Sequence, residues 1–290
     1  MKNKTVNDIN SLIRKIESCD GKNIDESLFN FVGNLLNGAG LAHSIFAAPI
    51  IPKELLEKGY GCYRTRKIKS IEEIYNVDHL WALKSEDVKS IGRCNKLGQS
   101  ILYCSNHQAT TFTELDLQPG DIYVSTRYET KLPIESHYIT IIILGDDITK
   151  YYLDNEFNPD KHVDFRTQLN QKNRIKHDLI DRFVTRMFQN KVFNQNAHHY
   201  NITSAITNFY FNCLEAKAIE LGGIIYPSVK AEYGSFNMAI KDEYARKNLE
   251  IRSSVFYKIT SVKGTNYKSI PLGQVVNIDD SGNLKIELVG

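Results

Sequence analysis

Apolar positions along this chain change period several times, and each change predicts an element. Ile9, Leu12, Ile13 and Ile16 recur at three- and four-residue steps, which predicts a helix over 7–18. A second helix starts at Asp25 as N-cap, carries Leu28, Val32, Leu35 and Leu36 on one face, and stops at Gly38. Gly38, Gly40, Pro49 and Pro52 are breakers, so the segment after this helix reads as loop. Together these predict a helical N-terminal extension over 1–58.

From residue 59 onward short runs of period two dominate. Residues 61–66 read as a strand with Arg64 and Arg66 on one face, because alternate residues share a face. Residues 71–91 read as loop with short helix. A strand over 100–105 and a short helix over 109–116 follow. Residues 121–129 and 137–144, rich in Tyr, Val, Ile and Thr, read as strands. A helical insertion over about 155–200 interrupts them, with Ile175, Leu179, Phe183, Val184 and Met187 as its stripe. A helix over 203–221 with Ile206, Phe209, Tyr210, Cys213 and Leu214 inward ends at Gly222-Gly223. Ile224 to Pro227 reads as a buried strand, and 237–241, 252–262, 274–278 and 284–289 as further strands. The fold class expected is α+β, with a mixed or antiparallel β core in a domain over 59–290.

Composition narrows the function classes. The 290 residues carry a formal net charge of +2, which gives no electrostatic footprint for nucleic acid. The segment 161–191 holds eight Lys/Arg against three Asp and is expected to be a solvated helix face. Five scattered cysteines without a C-x-x-C pair read as free thiols in a reducing compartment. The polar start leads into no apolar signal segment, and the longest apolar run, 138–144, is too short to span a bilayer. A cytoplasmic protein without a membrane partner is the expectation. No metal-ligand spacing, phosphate-binding glycine loop or G-x-S-x-G occurs; the adjacent His198 and His199 would diverge by about 100° on a helix.

The stretch from Gly92 to Glu114 carries the candidate chemistry. Arg93 and Asn95 lie in a turn, Tyr103 in the strand, and Glu114 at the short helix, with Tyr226 and Ser228 at the end of a distant strand. Arginine offers a fork for phosphate oxygens and tyrosine a ring face with a hydroxyl. A single carboxylate can stabilise a sugar that becomes cationic. Glycosidases ordinarily need two carboxylates, because an alkoxide leaving group needs a proton. A leaving group that departs neutral, such as nicotinamide, does not. The same residue types also serve as structural ion pairs and core tyrosines, and residue type alone leaves both readings open.

G-R-C-N-K-L-G-Q-S-I-L-Y-C-S, then A-T-T-F-T-E, then G-G-I-I-Y-P-S with an asparagine soon after, resembles the RES domain; the preceding Y-R-T-R resembles the strand that opens such domains. The matching segments lie between about Tyr63 and Lys241. The resemblance implies a fold similar to ADP-ribosyltransferases and an NAD-degrading toxin, with an Xre-type antitoxin protein as partner and a homo-oligomer left open. It implies cleavage of the nicotinamide–ribose bond with phosphate or water as acceptor, so NAD is substrate and inorganic phosphate a co-substrate, without a further cofactor. Arg93, Tyr103, Glu114 and Ser228 become the expected catalytic positions, and Arg64, Arg66, Asn95 and Tyr226 substrate-binding ones. Alternatives are ADP-ribosyl transfer to a macromolecule, or a non-catalytic nucleotide- or partner-binding module. Cys94 departs from the pattern, since many such domains carry tryptophan after the turn arginine.

Overall fold

The computed structural model describes residues 4–18, 26–38, 45–48, 62–131, 139–143, 171–190, 198–215, 222–228 and 235–289. In chain order the elements are α1 (Val6–Glu17), α2 (Glu26–Gly38), β1 (Ile45–Ala48), β2 (Cys62–Ile68), β3 (Ile101–Ser105), α3 (Gln108–Leu115), β4 (Ile122–Thr130), β5 (Ile139–Ile143), α4 (Gln171–Gln189), α5 (His198–Glu215), β6 (Gly223–Pro227), β7 (Phe236–Lys241), α6 (Asp242–Asn248), β8 (Leu249–Lys263), β9 (Asn266–Ile278) and β10 (Leu284–Leu288). Three short 3-10 turns, Ile71–Glu73, Val77–Leu80 and Ser85–Asp87, fill the connection from β2 to β3. The class is α+β, as the patterns predict. Among the described residues no helix is long and apolar enough to cross a membrane.

The chain divides into two compact units, both discontinuous in sequence. The first combines Met1–Ala48, Lys84–Gln99 and Ile139–Val229; the second combines Pro49–Leu83, Ser100–Tyr138 and Lys230–Gly290.

The first unit is mainly helical. A capping box starts α1: Thr5 Oγ1 accepts from the Asp8 amide at 3.2 Å and the Asp8 carboxylate accepts from the Thr5 amide at 2.7 Å. Ile9, Ile13 and Ile16 are buried from α1, as are Leu28, Val32, Leu35 and Leu36 from α2. Helix α1 packs on α2 and α4, and α5 packs on α2 and α4. β5 pairs with β1 antiparallel and with β6 parallel. β1 falls inside a stretch that reads as loop, because the flanking glycines and prolines mask four strand residues.

The stripe of α4 differs from the expected one. Ile180, Phe183, Val184, Met187 and Phe188 are buried, whereas Ile175 is 47% exposed. Lys176 and His177 occupy the inward positions one turn earlier, at 1% and 4% exposure. The solvated basic face holds for Arg174, Arg182 and Arg186, which are exposed, and fails at Lys176, which is buried. Lys176 lies close enough to α1 for its charge to help hold the Asp8 carboxyl low, after the hydrogen bonds from Thr5. Residues 155–170 and 191–197 of the expected insertion lie outside the described residues.

The second unit is built on seven strands in the order β7-β3-β2-β4-β8-β9-β10, all antiparallel. On one face Ile68, Ile74, Leu80, Val124 and Phe256 form an apolar cluster. On the other, Phe112 and Leu117 cover Tyr123 and Ile259. β9 runs well beyond the predicted 274–278. Pro271 and Gly273 disguise its first half, and both sit where strict pairing is relaxed or crowded. A register shift separates Phe256 from Tyr257, whose partner is Pro271, and a Cβ on Gly273 would meet the Glu287 carbonyl oxygen at 2.9 Å. Helix α6 follows β7 without a breaker, so no punctuation in the sequence announces it.

Candidate functional site

The second unit holds Tyr103, Glu114, Arg64 and Arg66, and its register sorts them onto two faces. Tyr63 pairs with Ser105, and Ser105 with Asn237. Cross-strand partners share a face, as do alternate residues along a strand. Tyr63, Thr65, Tyr103, Ser105 and Asn237 therefore lie on one side of the sheet. Helix α3 packs on that side: Thr65 Oγ1 donates to Thr111 Oγ1 at 2.5 Å, and Thr111 donates onward to the Gln108 carbonyl at 2.6 Å. Phe112 anchors the next turn against Tyr123, with ring centroids 4.8 Å apart.

That docking delivers Glu114. The helix ends one residue past Leu115 at Asp116, which takes the left-handed conformation at φ 52°. Glu114 thus sits in the last turn, where the helix dipole disfavours a negative charge. Asn237 offsets this. Its Nδ2 donates to Glu114 Oε1 at 2.9 Å, and its Oδ1 accepts from the Ser105 hydroxyl. Asn237 is 7% exposed and Ser105 3%, so the amide is held by two partners in a largely dry place, and its orientation is fixed. Asn106, fully buried, ties the same strand ends: its Oδ1 accepts from the Phe236 amide at 3.0 Å. His107, the residue before α3, is shifted toward its neutral form by burial. The unit thus presents one carboxylate on a rigid seat, on the sheet face that carries Tyr103.

Arg64 and Arg66 point to the other side of β2, the side of Cys62, Tyr128, Thr126 and Val124. Arg64 and Arg66, the expected substrate-binding arginines, therefore leave β2 on the face opposite to Tyr103.

The first unit holds Arg93, Asn95, Tyr226 and Ser228. Arg93 donates from Nη1 to the Phe188 carbonyl at 2.9 Å and from Nη2 to the Asn190 carbonyl at 3.1 Å, with a longer contact to Met187. Its guanidinium also lies over the Tyr200 ring, 5.5 Å from the centroid. The fork therefore closes the C-terminal end of α4, where a cation complements the exposed carbonyls. Asn95, buried, donates to the Ser90 and Lys96 carbonyls at 3.0 Å each and shapes the turn that carries Arg93. Tyr226 is buried with its ring 5.4 Å from that of Phe188. Ser228 follows β6 and is partly exposed.

The cysteines add no nucleophile among the described residues. Cys62, Cys94 and Cys104 are buried and form no disulfide. Burial pushes the Cys94 thiol up to about 12, and burial together with the neighbouring Cys104 thiol raises Cys62. A thiol so raised stays protonated and inert. No group of three or more His, Cys, Asp or Glu residues suited to a metal ion occurs among the described residues.

Residue typing missed Ser105 and gave Asn237 no role. The available signal was positional: both sit at inward strand positions where apolar side chains alternate. No family model, curated protein or solved structure matches this chain.

Proposed function

We propose that the chain cleaves the nicotinamide–ribose bond of NAD, as a member of the RES-type enzymes with an ADP-ribosyltransferase-like fold. The observation that supports this most is the Glu114 carboxylate held by the Asn237 amide, which the Ser105 hydroxyl in turn orients. An acidic residue in the last turn of a helix is a poor choice for stability and a good one for chemistry that needs a fixed negative charge. Glu114 accepts a hydrogen bond from the ribose 2′-hydroxyl and faces the positive charge that builds as nicotinamide leaves. The C–N bond breaks with its electron pair going to nicotinamide, which departs neutral, so the step needs no second carboxylate as acid. Tyr103 supplies a ring and a hydroxyl on the same face. Phosphate or water then bonds to the ribose carbon and gives up a proton to solvent.

Arg93 takes a different part from the one its residue type suggests. Both of its terminal nitrogens already donate to carbonyl oxygens, so in this reading it positions the 92–95 turn and does not fork a phosphate.

The test is incubation of the purified chain with NAD, with and without inorganic phosphate, and identification of the products by NMR and mass spectrometry. Release of nicotinamide is expected from the wild type and not from Glu114→Gln, with folding unchanged. Full activity in Glu114→Gln, or no NAD loss from the wild type with any acceptor, overturns the reading. ADP-ribose carried on protein or nucleic acid would replace it with transfer to a macromolecule.

A further inference from the structure

In the second unit the β8–β9 hairpin runs past the rest of its sheet. β4 begins its pairing with β8 at Ile122 and Lys258, and β10 pairs with β9 only over 273–278. The stretch from Thr260 to Lys268 therefore has no strand on either side. Register sorts its side chains onto two faces. Ile259, Val262 and Tyr267 turn toward Phe112 and Leu117, on the side that α3 covers. Lys258 pairs with Ile270, Ser261 with Lys268 and Lys263 with Asn266, which puts Lys258, Lys263, Lys268 and Ile270 on the other side. Leu288 of β10 joins them: it pairs with Gly273, and a Cβ there would meet its Cδ2 at 3.2 Å. Leu272, partly buried, packs on this side between Ile270 and Gly273.

The face combines unpaired cations with open aliphatic side chains. No Asp or Glu occurs from 251 to 278, and Glu287 alternates with Ile286 and Leu288 onto the opposite face. Lys258, Lys263 and Lys268 are exposed, and among the described residues none of them forms an ion pair. Ile270 is 49% exposed and Leu288 65%. Single exposed aliphatics need no explanation, but these share one face with every lysine of the hairpin. A nucleic acid would neutralise the lysines and leave Ile270 and Leu288 uncovered. A lipid surface meets both: anionic headgroups face the ammonium groups, and the aliphatic side chains enter the acyl boundary with the lysine stems lying along it. We propose that this face of β8, β9 and β10 is a docking surface for an anionic lipid bilayer, touched without being crossed. The expectation of no membrane partner rests on the lack of a spanning segment, which contact of this kind does not need. The surface is independent of Glu114 and of NAD cleavage.

The experiment is co-sedimentation of the full chain with large vesicles of phosphatidylcholine, alone or with about 30% phosphatidylserine, in about 0.1 M salt. Retention by the anionic vesicles and not by the neutral ones is expected. A lysine near such a surface contributes about fivefold to partitioning, so Lys258→Gln, Lys263→Gln and Lys268→Gln each weaken binding by about that factor. Raising the salt to about 0.5 M weakens it as well. Ile270→Ser and Leu288→Ser weaken it at unchanged charge, with folding checked by thermal unfolding. Lys285→Gln, on the opposite face, binds nearly as the wild type. The proposal is overturned if phosphatidylserine brings no retention, or if the three lysine variants bind as the wild type. It is also overturned if Ile270→Ser and Leu288→Ser both leave binding unchanged, which reduces the face to ordinary surface charge. Retention of a DNA or RNA duplex through the same lysines, with vesicles unbound, overturns it in favour of nucleic acid.

Discussion

Replacing Asn237 with alanine isolates what the amide does for Glu114. The substitution removes the 2.9 Å donor to the carboxylate and leaves the Ser105 hydroxyl, 3% exposed, without its acceptor. A hydrogen bond to a charged group contributes about 1.5–3 kcal/mol, and a buried hydroxyl left unsatisfied adds about 1–3 kcal/mol of destabilisation. The two effects fall on different observables. The stranded hydroxyl lowers global stability, read as a lower denaturant midpoint at unchanged slope. The freed carboxylate loses preorganisation, read as a fall in kcat of about ten- to a hundredfold with KM nearly constant, since about 1.4 kcal/mol is a factor of ten. Asn237→Asp separates them further. A second carboxylate beside Glu114 disfavours its ionised form, so the acid limb of the activity profile moves to higher pH. Ser105→Ala keeps the donor and is expected to lose less activity than Asn237→Ala. If Asn237→Ala loses stability while kcat and its pH profile stay those of the wild type, the seat is only part of the core and the site lies elsewhere.

Further expectations concern the scaffold. Asn106→Ala strands the Phe236 amide in a fully buried place and is expected to lower stability by about 1–3 kcal/mol, measured by urea denaturation. Arg93→Lys replaces a fork that reaches two carbonyls with a point charge, and is expected to lose about 1–2 kcal/mol in the same assay, with hydrogen exchange rising first at the C-terminal end of α4. Asp121 is held below the ordinary carboxylate range, first by its hydrogen bond with Lys67 and also by the Gln118 amide. A depressed carboxyl contributes stability above its unfolded pKa and loses it as pH falls through the folded one. Asp121→Asn should therefore melt below the wild type near pH 7, and the two melting points should converge at about pH 2–3; a gap that persists in acid refutes the assignment.

The elements were largely legible because their periods are clean. Helices α1 and α2, strands β3 and β4, and the arrival of Glu114 on a short helix follow from spacing and breakers alone. The misses share a physical cause. On α4 the inward turn is filled by Lys176 and His177, so a search for apolar stripes places the face one step off, at Ile175. In β9, Pro271 and Gly273 read as breakers because their tolerance depends on a bulge in the neighbouring strand, which no local window contains. At the site, spacing gave the types and their order, and the strand register gave the faces. Arg64 and Tyr103 are both strand residues with suitable chemistry, and only the pairing of Tyr63 with Ser105 shows that they face opposite ways.

Local electrostatics then sorts the residues that the RES-like pattern groups together. Arg93 lies at the C-terminal end of α4, where a cation satisfies carbonyl oxygens and complements the helix dipole, a placement that favours stability. Glu114 lies in the last turn of α3, where the same dipole opposes its charge, and a buried amide, itself fixed by the Ser105 hydroxyl, donates to it. Stability does not explain that arrangement, since a glutamine there would avoid the repulsion and still pair with the amide. Residues that break a local rule and are then held by compensating contacts are where function is expected. The distinction has a measurable consequence. Glu114→Gln should unfold at the same temperature as the wild type or above it, while Arg93→Lys unfolds below it. The reverse order would make Glu114 a structural ion and would remove the main physical support for a catalytic carboxylate at this position.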